Sequence, residues 1–264
     1  MTVAIPEFPH SIVTRDDRGV YTLQIHDAKS LNILATPVTQ GLTQAALWIA
    51  AQPDARAVVL RGAGDKAFVG GANIYEMAEL DPAQGREFIS CLRRLCDAMA
   101  TMPVPTIARL PGLCLGAGME LAAACDIRLG SDDGVFGMPE VRIGIPSVIH
   151  AAVLPRLIGE GATNWLLLTG ENVDARQALQ WGYLQFMCPV GQLDDLVEKT
   201  VHAIAQNGPV AMRSQKTLLR HWQDASLEDA IDNSVLAFGA AFETDEPKTY
   251  MSPFLTRKRD GGKA

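Results

Sequence analysis

The 264-residue chain is poor in paired cysteines, in basic charge and in long apolar runs. Its five cysteines, Cys91, Cys96, Cys114, Cys125 and Cys188, form no Cys-x-x-Cys pair and have no histidine at metal-ligand spacing. A disulfide framework and a metal site are therefore not expected. The odd count reads as reduced, mostly buried thiols of a cytoplasmic protein. Residues Met1 to His10 lack the basic start and apolar core of a secretory signal, and no run reaches the length of a membrane span. Lys and Arg number 23 against 30 Asp and Glu, a formal net charge of −7. That balance argues against general binding to nucleic acid or an anionic membrane and leaves a phosphorylated ligand only a local basic patch. There is also no Gly-x-Ser-x-Gly elbow, no Walker loop and no His-Glu-x-x-His.

What is present is enough apolar sequence, 48%, to fill a large core. Ser11 to Arg15 and Val20 to His26 read as a hairpin across Asp16-Asp17-Arg18-Gly19. Thr36-Pro37 reads as a helix start with Thr36 as cap, and the helix runs to about Ala51. Ala57 to Arg61 and Val104 to Leu110 are short buried strands, with a long helix from Asp81-Pro82 to about Met102 between them. Asp126 to Gly130 and Gly134 to Met138 are two more strands. From about Ser147 the chain turns helical, beginning with a single helix over Ser147 to Ile158 and interrupted by a strand over Leu184 to Met187. The pattern predicts an α/β core over residues 1–200 and a helical region over 201–264.

Two turns of small residues each open a helix. One is Gly70-Gly71-Ala72; the other is Gly116-Ala117-Gly118, directly after a strand. Such turns leave backbone N–H groups pointing outward, and two of them aimed at one point would hold an oxygen as it gains negative charge. A plain left-handed turn explains each one equally well on its own. Glu120 sits in the first turn of an otherwise apolar helix, as a partner of the helix dipole or as a reagent. Glu140 follows Pro139 among Val135, Phe136, Met138 and Val141, where desolvation would raise its pKa. Taken singly, each glutamate also reads as an ion-pair or capping residue. His150 reads either as a substrate contact or as a structural histidine.

The segments Phe68 to Ile74, Gly112 to Asp126 and Phe136 to Pro146, with a tail from Asp245 to Arg259, resemble the crotonase (enoyl-CoA hydratase/isomerase) superfamily. The resemblance implies a crotonase-like spiral of strand-strand-helix units, with C-terminal helices that build a homotrimer or a homohexamer. It implies an acyl-CoA thioester as substrate and neither a metal nor a redox cofactor. By position, Ala72 and Ala117 would supply the oxyanion-hole amides, and Glu120 and Glu140 the two catalytic carboxyls of a hydratase. CoA would lie on Lys29, Ser30, Leu31, Val69, Gly70, Gly71, Asn73 and Ile74, with Phe254 and Lys258 of the tail. Met77, Met138, Pro139, Val148, Ile149 and His150 would form the acyl pocket. An isomerase, a related lyase or a non-catalytic CoA-binding member are the alternatives. Asn73 stands where relatives usually carry Asp, and Ser147-Val148-Ile149-His150 replaces a glycine-rich run, which should narrow or reshape the acyl pocket.

Overall fold

The fold comes from a computed structural model that describes residues 4–260, with side chains through residue 256. It begins with a hairpin, β1 (Ser11–Arg15) and β2 (Val20–Ile25), paired antiparallel with Val13 opposite Leu23. Helix α1 (Thr36–Ala50) then buries Val38, Leu42, Ala45, Ala46 and Ile49, the spacing of one helix face. After it the chain repeats a unit. β3 (Ala57–Arg61) and β4 (Ala67–Val69) lead into α2 (Ile74–Met77) and α3 (Pro82–Ala100). β5 (Thr106–Leu110) and β6 (Leu113–Leu115) lead into α4 (Ala117–Ala123). β7 (Ile127–Ser131) and β8 (Val135–Gly137) start a third unit.

In each unit the first strand joins one sheet and the second joins another. The larger sheet runs β1-β2-β3-β5-β7-β10 and the smaller β4-β6-β8-β9. Leu23 pairs with Leu60 and Leu60 with Ala108 across parallel strands, so one row of side chains lines the core under α1 and α3. The remaining elements are α5 (Leu154–Ile158), α6 (Glu160–Thr169), β9 (Asn172–Asp174), α7 (Ala175–Gln180), β10 (Phe186–Cys188) and α8 (Leu193–Ala205). They are followed by α9 (Pro209–Asp224), α10 (Leu227–Ala241) and α11 (Glu246–Asp260). This is the mixed α/β spiral that the sequence pattern and the resemblance lead one to expect.

The chain separates into two compact units, Met1–His202 and Ala203–Ala264. In the second, the Glu246 carboxylate closes the open N-terminus of α9 by accepting from the Val210 and Ala211 amides at 3.0 and 2.8 Å. Along α10, Leu227, Ile231, Val235, Phe238 and Phe242 recur at three- and four-residue spacing and are exposed, Leu227 at 78%.

Two local expectations fail. Ala35, not Thr36, occupies the cap position of α1. Thr36 instead gives its N–H (3.0 Å) and its hydroxyl to the Glu76 carboxylate, which ties α1 to α2. The single helix over Ser147 to Ile158 is broken into a 3₁₀ turn, Ile149–Val153, and α5. Pro155 lies in the first turn of α5, where its missing N–H does no harm; further inside a helix it would remove a hydrogen bond. β4, β6 and β9, three residues each, carry too little periodicity to be read beforehand.

Candidate active site

Both small-residue turns lie at strand ends of the smaller sheet, and backbone contacts force them together. At the first, Gly71 has φ +123°, a region that side chains other than glycine rarely enter. The loop before α1 is laced to this turn: Gly70 N–H donates to Leu31 O (2.8 Å), Leu34 N–H to Gly71 O (3.0 Å) and Asn73 N–H to Leu34 O (3.1 Å). Asn32, buried and at φ +53°, bonds the Ala67 carbonyl (2.9 Å) and the Ala63 carbonyl and amide (both 3.2 Å). At the second turn, Gly116 has φ +52° and its N–H donates to Gly137 O at 2.8 Å. A Cβ on Gly118 would lie 2.5 Å from the Val69 carbonyl oxygen, so only glycine lets α4 sit this close to β4. Among the described residues, neither Ala72 N–H nor Ala117 N–H meets a protein acceptor, and both alanines line one cavity.

That cavity is about 530 Å³, within the usual range for a small-molecule site. Glu120 and Glu140 both face it. Glu120 is 4% exposed and accepts the Ala151 N–H at 3.2 Å. Burial first, and the Glu140 charge second, push its pKa up to about 8; the Ala151 and Val148 amides pull the other way. Burial also raises Glu140, against the Ser147 hydroxyl, which donates to its Oε2 at 2.8 Å. Glu140 Oε1 lies 2.6 Å from where a Gly116 Cβ would stand, so the glycine makes room for the carboxyl. Two carboxyls in one desolvated pocket cannot easily both ionise. Such a pair can take a proton at one point and deliver one at another.

Apart from Asp81, the rest of the cavity is apolar. α3 presents Pro82, Gly85, Phe88, Ile89 and Leu92. Across from it stand Ile143, Ile145, Pro146 and Val148, with Met77 and Leu80 beside them. Of the acyl-pocket residues expected from sequence, Met77, Pro139 and Val148 line this space. Met138 is fully buried beneath it. Ile149 and His150 line a different cleft with Arg93, Asp97 and Val153. There His150 Nε2 lies 3.7 Å from Asp97 Oδ1, and burial lowers the imidazole pKa despite that partner. The turn at Ile149, φ +40°, carries these side chains away from the carboxyls.

Among the residues expected to hold CoA, Gly70, Gly71 and Ile74 line the cavity. Lys29 and Ser30 are exposed and do not line it; they precede Leu31, and Lys29 Nζ lies 5.5 Å from the centre of the Tyr75 ring. Val69 is wholly buried, Leu31 anchors Gly70, and Asn73 caps α2 by accepting from Tyr75 N–H at 3.3 Å. Phe254 is an exposed residue of the second unit. The Lys258 side chain lies outside the described residues. Sequence reading missed the bonds of Asn32 to the first turn and of Ser147 to Glu140, and it missed the α3 face. The last had a signal, since the apolar residues of α3 repeat at helical spacing beyond what one buried face needs. Among the described residues no group of three His, Cys, Asp or Glu is placed to hold a metal ion.

Residues 15–260 match the family model described as enoyl-CoA hydratase/isomerase. The chain belongs to the enoyl-CoA hydratase/isomerase family. A short-chain-enoyl-CoA hydratase of Clostridium acetobutylicum is 30% identical over 96% of this chain and 97% of its own length. A crotonyl-CoA hydratase of Syntrophomonas wolfei is likewise 30% identical, over 94% of this chain and 96% of its own. The crystal structure of an enoyl-CoA hydratase from Bacillus anthracis superposes with a TM-score of 0.89 at 28% identity, covering 94% of this chain and 96% of that one. This hydratase/isomerase-family chain thus shares its fold with relatives along nearly its full length.

Proposed function

We propose that the protein is an enoyl-CoA hydratase that adds water across the 2,3 double bond of a 2-enoyl-CoA. The observation that carries the reading is that Glu120 and Glu140 line the same cavity as the two uncommitted amides of Ala72 and Ala117. In this reading the thioester oxygen sits between the amides, which hold it as the enolate forms; one such donor is worth roughly 3 kcal/mol. Glu120 takes a proton from water as oxygen attacks C3, and Glu140 gives a proton to C2. The reactive form of the pair carries one proton. CoA lies over the exposed loop at Lys29 and Ser30, and the enzyme needs no cofactor. The exposed apolar row of α10 supports assembly as a cytoplasmic homotrimer or homohexamer.

The test is loss of the enone absorbance of crotonyl-CoA and longer 2-enoyl-CoAs. Glu120→Gln and Glu140→Gln should each lower kcat at least 10³-fold. No turnover across the panel, with CoA thioesters still bound, would leave a non-catalytic CoA-binding protein. An isomerase needs a single proton carrier. Because the Ala151 amide already engages Glu120, that reading predicts an active Glu120→Gln and a dead Glu140→Gln.

A further inference from the structure

We infer that the cavity takes an acyl group of about ten carbons, and that Gly85 is the residue that admits it. The inference rests on the cavity being an acyl-thioester site. The α3 wall repeats at helical spacing through Pro82, Gly85, Ile89 and Leu92, with Phe88 beside them. Every member but Gly85 fills its share of the wall with apolar side chain. Nothing in the backbone calls for glycine there. The position is helical, with Gly85 N–H donating to Asp81 O at 2.8 Å, and a Cβ would meet no atom within 4 Å. Inside a helix glycine is a poorer choice than alanine. What glycine does provide is a notch in the wall.

The notch lies far from the reacting groups. His150 reaches Asp97, three residues from the end of α3, and the next amide, that of Ala151, holds Glu120. The carboxyls therefore stand by the Leu92 end of the wall. Seven residues separate Leu92 from Gly85, about 10 Å at a rise of 1.5 Å per residue. An extended chain advances about 1.2 Å per bond, since a residue of three bonds spans about 3.5 Å. Some eight bonds thus run from the carboxyls to the notch. A crotonyl group ends near Leu92 and leaves most of the apolar wall uncovered. A decenoyl chain covers Ile89 and Phe88 and ends at Gly85, and each methylene it buries is worth about fourfold in affinity. Ile143, at 56% exposed, and Val148, at 39%, face the same space from the other side and gain cover from the chain.

The experiment measures hydration rates and binding against acyl length in the full-length wild type and in Gly85→Leu. Wild-type kcat/KM for trans-2-decenoyl-CoA should equal or exceed that for crotonyl-CoA. In Gly85→Leu the decenoyl-to-crotonyl ratio should fall at least tenfold. Titration calorimetry with the saturated butyryl- and decanoyl-CoA gives a readout free of turnover: wild type should bind decanoyl-CoA at least tenfold tighter, and the variant should lose that preference. A wild-type ratio below one tenth, equal Kd values for the two saturated thioesters, or a length profile unmoved by Gly85→Leu overturns the inference. If no thioester is hydrated but length-dependent binding stands, the hydration reading fails and this one does not. Should Gly85→Leu fail to fold, the wild-type length profile alone decides.

Discussion

The two strand–turn–helix corners use the same local device and are held by opposite means. The corner from β4 to α2 is at the surface: Ile74 and Tyr75 are exposed, and α2 buries none of its residues. It is kept in place by hydrogen bonds, chiefly those of Asn32. The corner from β6 to α4 is sunk in the core, with every residue of α4 buried. It is kept in place by close packing, Gly118 against Val69. The first corner can therefore approach a bulky ligand from solvent, while the second supplies a rigid, dry floor with Glu120 built into it. Desolvation is possible only at the second, and that is where the carboxyl with the largest upward shift lies.

The contrast can be broken at its tightest point first. Gly118→Ala drives a methyl into the Val69 carbonyl, and the backbone cannot yield as a side-chain tip would. Overpacking of this kind costs about 3 kcal/mol, against about 1 kcal/mol gained in helix propensity. Urea denaturation should show a net loss, and kcat should fall more than tenfold as the Ala117 amide moves. A stabilised variant would mean that the corners are not packed as described.

The second test concerns charge. Folding keeps Glu120 neutral to about pH 8, whereas an unfolded glutamate ionises near 4.5. Between those values the folded state binds more protons, so stability falls as pH rises. Glu120→Gln abolishes that cost. Its melting temperature should exceed wild type by several degrees at pH 8.5, an effect on the order of 3 kcal/mol, and the gap should close below pH 4.5. The third test belongs to the surface corner. Asn32→Ala removes three hydrogen bonds and leaves alanine at φ +53°. It should cost about 2 kcal/mol, by the same amount at pH 5 and pH 8.5, because no titrating group is involved.

Much of this was legible beforehand, and the limits are physical. The hairpin, the longer strands and helices and both corners follow from short-range signals: alternation, glycine, proline and caps, while the pairing of the two acids came from the family resemblance. Thr36 looked like a cap because Thr-Pro usually is one. Its hydroxyl went to Glu76, forty residues away, which no window reveals. His150 follows Glu140 by ten residues and read either as a substrate contact or as a structural histidine. One left-handed residue, Ile149, turned it toward Asp97 instead.

The amino-acid order by itself determined most of the strands and helices, where glycine lets the backbone bend, and which two carboxyls lie in apolar surroundings. Only the tertiary structure decided that the α3 face walls the cavity, that Ala151 and Ser147 hold the two acids, and that burial raises the Glu120 pKa. The reason is that propensity and periodicity act over a few residues. Desolvation and the repulsion between two charges depend on how closely segments distant in the chain are packed.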